Sequence, residues 1–144
     1  MERVALILLL AAAPAWGFDA NGVALGASEA EVRKAFPAAN CKPMDWRTDA
    51  ADRRCDAPPF PFGGVEARIT FFLKQDAVQA FDARFEERDL RAVLEHLREH
   101  YGRPDAEGRE TFQRRGDARS IFKARWEKGQ DRAVLSSMAG RRRV

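Results

Sequence analysis

Few side chains in this sequence have the types and spacing that chemistry requires. The sharpest pattern is His96-Leu97-Arg98-Glu99-His100, the H-x-x-E-H run that places two imidazoles and a carboxylate around zinc in one class of metallopeptidase. That chemistry needs both imidazoles on one side of a helix, a third protein ligand and an open position for water. The chain holds only these two histidines. On a helix they lie about 120° and 80° from the stripe centred on Leu97 and Tyr101, with Glu99 nearly opposite that stripe. The pair therefore reads as the flank of a helix, and no metal, cofactor or catalytic residue is assigned. Serines offer no nucleophile constellation: Ser28 is a helix cap, and Ser120, Ser136 and Ser137 fall in strand patterns. The carboxylate pairs Glu86/Glu87 and Glu95/Glu99 sit on faces balanced by arginine. Gly63-Gly64 has no lysine or helix start after it and is not a phosphate loop. Arg115-Gly116-Asp117 spells an adhesion tripeptide, but Gly-Asp between two strands is turn chemistry.

Cys41 and Cys55 are the remaining candidates. Their spacing is not Cys-x-x-Cys and no histidine lies near, so a metal or redox role is disfavoured. An even cysteine count in an exported chain reads as a disulfide. Export is indicated by residues 1–17: a charged start at Glu2-Arg3, an apolar run from Val4 to Ala13, and Ala15-Trp16-Gly17 with small residues where a signal peptidase reads. The run is half of the roughly twenty residues that span a bilayer. Cleavage near Phe18 would leave a periplasmic or secreted protein with no transmembrane segment. It would also have no lipid-attachment cysteine at its start.

Three aromatics could mediate binding. Phe60 and Phe62, set between Pro58, Pro59 and Pro61, put two rings on a stiff backbone, and Trp46 lies inside the Cys41–Cys55 loop. Rigid aromatics are common anchors for partners. The same rings could instead roof the core at a strand entry.

Removing residues 1–17 from the 144 leaves one domain, 18–140, large enough for a core, with a basic tail at 141–144. Arg141, Arg142 and Arg143 carry the whole formal +3. The balanced body argues against a nucleic-acid surface, which needs clustered Lys and Arg.

The elements that would position these residues follow from capping and periodicity. Ser28 with Glu31 forms a capping box, Val32 and Phe36 share a face, and Pro37 stops that helix. Residues 38–64 read as loop. Val65–Leu73 alternates as a half-buried strand, and Lys74-Gln75-Asp76 turns it into a second strand, Ala77–Phe85, forming a hairpin. Leu90, Val93, Leu94, Leu97 and Tyr101 make one apolar stripe on a helix over Glu87–Tyr101, ended by Gly102 and Pro104. Three strands follow: Glu110–Arg114, Ser120–Glu127 and Arg132–Ala139. The expected class is α+β, with two short helices packed on one face of an antiparallel sheet of about five strands. A helix-plus-meander unit would be used twice.

The run Gly22-Val23-Ala24-Leu25-Gly26-Ala27-Ser28-Glu29-Ala30-Glu31-Val32 with Phe36-Pro37, and the helix end Tyr101-Gly102-Arg103-Pro104, resemble the SmpA/BamE-like and β-lactamase-inhibitor-like repeat unit of small exported proteins. The resemblance spans most of residues 22–139 as an architecture. It implies a non-enzymatic module that works through protein contacts in the cell envelope, as an assembly accessory, scaffold or inhibitor, with an unknown protein partner. The chain departs from the lipidated members in lacking their cysteine, and no binding residue carries across. Three functions are in play: an envelope protein-binding module, an inhibitor or binder of an exported hydrolase, and a small envelope enzyme or metal-binding protein.

Overall fold

A computed structural model describes residues 17–46 and 48–137. Of the expected signal segment 1–17, residues 1–16 lie outside the described residues, as does the tail at 141–144. The chain is mostly β, with ten strands in three antiparallel sheets and two α-helices among the described residues.

β1 (Asp19–Ala20) and β2 (Val23–Ala24) form a small hairpin. Its turn is Asn21-Gly22, both at positive φ, the pair that a two-residue primed turn favours. Ala20 and Val23 are buried by it. α1 (Glu29–Ala35) starts on the capping box: the Glu31 N–H donates to Ser28 Oγ at 3.2 Å and the Ser28 N–H to Glu31 Oε2 at 2.7 Å. Val32 and Phe36 point into the first core.

The largest sheet is a meander built around β6 (Val65–Lys74). The sequence alternation holds along it: Ala67, Ile69, Phe71 and Leu73 are buried. β7 (Ala77–Arg84) pairs along one edge of β6 through the Gln75-Asp76 turn, with a bulge opposite Phe72/Leu73. The other edge of β6 is shared end to end by β4 (Arg53–Asp56) and β5 (Phe60–Phe62). Pro58 and Pro59, which lack N–H groups, separate those two strands. β3 (Asn40–Pro43) pairs with β4, and Cys41 lies directly opposite Cys55 in a cross-strand disulfide.

α2 (Leu90–Tyr101), entered by a 3₁₀ turn at Glu87–Asp89, buries Val93 and Leu97. The third sheet is the meander β8 (Ala106–Arg114), β9 (Asp117–Lys128) and β10 (Asp131–Ser136). Its inner face carries Phe122, Ala124, Trp126 and Leu135 into a second core with Phe18 and α2. The Trp126 indole N–H donates to the Gly102 carbonyl at 2.8 Å, tying β9 to the end of α2. Phe62 and Phe81 pack against both cores.

The expected fold is therefore corrected. Two helices on one face of a single five-stranded sheet do not describe this chain: the strands divide over three sheets, and each helix packs into a different core. Residues 38–64, read as loop, contain β3, β4 and β5. Their sequence lacks alternation. Pairing with the strongly patterned β6 and the Cys41–Cys55 bridge impose extended structure there, a case of tertiary context overriding local propensity. The single-sheet expectation failed because alternation reports that a strand has a buried face, not which sheet it joins.

Candidate functional site

The disulfide ties edge strand β3 to β4, with Cys41 half-buried and Cys55 fully buried, and there is no free cysteine among the described residues. The other sequence-derived candidates do not converge on one place. His96 and His100 stack with ring centroids 4.1 Å apart, and His100 Nδ1 lies 3.2 Å from the His96 carbonyl oxygen. His96 is half-buried, edge-on to Phe62 at 5.4 Å. Desolvation there, followed by the neighbouring His100, pulls its imidazole below the ordinary range. No group of three or more His, Cys, Asp or Glu side chains able to hold a metal ion occurs among the described residues. Ser137 is buried, and its hydroxyl accepts the Phe122 N–H at 2.9 Å. Arg115-Gly116 is the two-residue turn joining β8 to β9, where Arg114 lies opposite Asp117.

The three aromatics separate. Phe60 meets Phe36 edge-on at 5.0 Å inside the first core, and Phe62 sits where the two cores meet. Trp46 is 82% exposed on the loop between β3 and β4. That loop leads into Arg53, opposite Leu73, whereas Phe62 lies opposite Val65. The two places are thus eight β6 residues apart, about 26 Å at 3.3 Å per residue. Trp46, Phe60 and Phe62 do not form one patch.

A different feature brings many groups together: a groove between the free edges of β7 and β10. One cavity of about 360 Å³ is lined by Phe81, Val93, Leu97 and Leu135, among others. A second, of about 490 Å³, continues it past Phe85, Leu90 and Ser137. Asp82, Ala83, Phe85, Val134 and Leu135 line both. Gln79 of β7 and Gln130 beside β10 mark one end, Phe85 and Ser137 the other, so the two edges run in the same direction.

Register shows which backbone groups face the groove. On β6, the carbonyls of Ile69 and Leu73 accept from Ala57 and Asp52, away from β7. Their partners and that of Phe71 are therefore non-hydrogen-bonded pairs, and Phe81 and Ala83 turn their N–H and C=O groups outward. At the start of this edge Val78 is engaged, exchanging bonds with Gly26 and Ala27 at 2.7 and 2.8 Å. In the other sheet, the Ser137 N–H donates to the Phe122 carbonyl, so Phe122, Ala124 and Trp126 bond toward β10. Arg132, Val134 and Ser136 then face outward. None of these five residues bonds another backbone group across the groove among the described residues.

The groove's charge is one-sided. Arg84 pairs with Asp82 Oδ2 at 3.4 Å and Arg132 with Glu127 at 3.3 Å. Asp19, Glu87 and Asp131 also line the groove, and none is in an ion pair among the described residues. Asp82 Oδ1 is buried without a hydrogen-bond partner among the described residues. At the Gln130 end, Asp19 Oδ1 accepts the Tyr101 hydroxyl at 3.3 Å, and burial pushes that phenol's pKa up. What the arrangement offers is unpaired backbone, an apolar floor on α2 and excess carboxylate.

Sequence reasoning missed this groove. Its available signal was the alternation of Ala77–Phe85 and Arg132–Ala139, each a strand that ends a meander and so keeps one free edge. Comparison with models of known families, with curated proteins and with solved structures finds no match to this chain.

Proposed function

We propose that the chain is an exported, non-enzymatic protein-binding module of the cell envelope that works in the periplasm as an assembly accessory. The observation that carries this reading is the groove between β7 and β10, where two strand edges stay open over an apolar floor. Open edges are normally covered, twisted away or blunted by charge and proline. Retaining two of them side by side is a cost that a strand-recognising surface accounts for. The Cys41–Cys55 disulfide supports an oxidising location. No helix among the described residues is long and apolar enough to cross a membrane. The resemblance of Gly22–Val32 and its capping-box helix to SmpA/BamE-like and β-lactamase-inhibitor-like units points the same way.

The test is site-specific crosslinking of the tagged full-length protein in a native periplasm. Crosslinkers placed at Val134, Trp46 and Phe112, the large exposed apolar positions among the described residues, should capture one discrete protein from at least one site. Capture of nothing from any of the three removes the reading. A captured hydrolase whose activity falls on binding would make the module an inhibitor.

A further inference from the structure

We infer that the groove takes a single extended segment of a partner protein, antiparallel to both β7 and β10, that joins the two large sheets into one and carries Lys or Arg among apolar residues. This rests on the protein-binding reading and names the occupant. Because β7 and β10 run in the same direction along the groove, a strand antiparallel to one is antiparallel to the other. A central strand bonds alternate residues to its left and right neighbours. Here Phe81 and Ala83 wait on one side, and Arg132, Val134 and Ser136 on the other. The shared length from Gln79 to Phe85 is seven residues, about 23 Å of strand.

The two faces of the occupant would meet different surroundings. Inward lie Phe81, Val93, Leu97 and Leu135, which call for apolar side chains at every second position. Outward lies Asp82, which register places on the face opposite buried Ile69 and Phe71 because it pairs with Thr70. Its Oδ1 lacks a hydrogen-bond partner among the described residues. On that same outward face Arg84 pairs with Asp82 itself and Arg132 with Glu127, whereas Asp131, which register places on the inward side with Leu135, and Asp19 and Glu87 line the groove in no ion pair among the described residues. An acidic partner segment would add like charge in a partly desolvated place, and a basic one offsets it.

The probe is a nine-residue peptide alternating valine with lysine and threonine, added to the disulfide-bonded protein. Binding should slow amide exchange at Phe81, Ala83, Arg132, Val134 and Ser136 by tenfold or more. A version N-methylated at alternate amides, and one with glutamate for lysine, should each bind at least tenfold more weakly. Val134→Pro removes an N–H that takes no part in the β9 ladder, and it should abolish binding while Trp126 fluorescence stays native. Asp82→Asn with Asp131→Asn should weaken the lysine peptide and spare the glutamate one. No binding of the lysine peptide, unchanged exchange at the five amides, or equal binding of the N-methylated peptide overturns the inference. So does protection of those amides by self-association at rising protein concentration. If the peptide fails while periplasmic crosslinking captures a partner through Trp46 or Phe112, only this inference falls and the binding-module reading stands.

Discussion

Gly63 shows how one residue fixes the approach of two elements. It holds φ +61, and a Cβ built there would stand 2.9 Å from both Cβ and Cγ of His96. Its neighbour Gly64 has φ +77 with nothing within 4 Å. Both substitutions to alanine incur backbone strain of about 1–3 kcal/mol. Only Gly63→Ala also forces the β5–β6 turn away from α2, so it should lower the urea midpoint clearly more than Gly64→Ala does. Pairing Gly63→Ala with His96→Ala should recover part of that difference, since the ring is removed and the 2.9 Å Cβ contact is kept. Equal midpoints for the two glycine variants would show that the turn does not rest on α2. The same histidine sets a pH dependence. Burial beside Phe62 and the charge of His100 favour its neutral form, with Glu99 and Asp19 acting the other way. The unfolded chain then binds the proton more tightly, so stability is intact above the unfolded pKa of about 6.5 and declines as pH falls through it. Glu29 acts in a lower window. Its hydrogen bond to Arg53, opposed by desolvation and joined by Arg33, pulls its carboxyl below the ordinary value. That stability is present above about pH 4.3 and is lost as pH falls through the folded pKa. Chemical denaturation from pH 8 to 3 should show two declines. His96→Gln should erase the first, and Glu29→Gln should shrink the second, leaving the part that belongs to Asp56, which the Arg54 hydrogen bond likewise holds below the ordinary carboxylate value.

Among the elements, those that were legible in the sequence make their own local argument. α1 carries a reciprocal cap, β6 alternates five apolar positions, and α2 has a single stripe; all three form at about the expected bounds. β3, β4 and β5 carry no such pattern. β3 is four residues with Pro43 at its end, paired on one side only. What holds it is Cys41, bonded to its cross-strand partner Cys55. Opening a loop of fourteen-residue separation should lower stability by about 3 kcal/mol in the chain-entropy account. The loss should be local. After reduction, amide protection should fall first in β3 and β4, while β9 and β10 keep theirs until global unfolding. Uniform loss across all three sheets would mean that the bridge acts only through the unfolded chain. The Asn21-Gly22 hairpin was legible by its turn and went unread because its strands are two residues long.

For the whole molecule, the question is whether two cores make one cooperative unit. The candidate site depends on the answer, because its walls belong to different sheets. No backbone ladder connects the sheet of β6 to that of β9 among the described residues. The connection is made by side chains: Phe62 from the β5 edge and Phe81 from β7 pack against both clusters, and Tyr101 ties α2 to Asp19 of the first hairpin. Periodicity cannot report such a join, since a half-buried phenylalanine reads the same whether it has one core behind it or two. Shared aromatics of this size couple the cores strongly enough that β6 and β9 amides should exchange with the same free energy and melt in one transition. Phe62→Ala should cost about 3 kcal/mol, the low end for losing a buried phenyl ring. If the ring is the coupling, the same variant should separate the two sheets' exchange free energies, with the β9 sheet opening on its own. A uniform shift with the two values still equal would place the coupling elsewhere. In that case Phe81→Ala, which removes the other shared ring and part of the groove floor, should split the sheets and weaken peptide binding together.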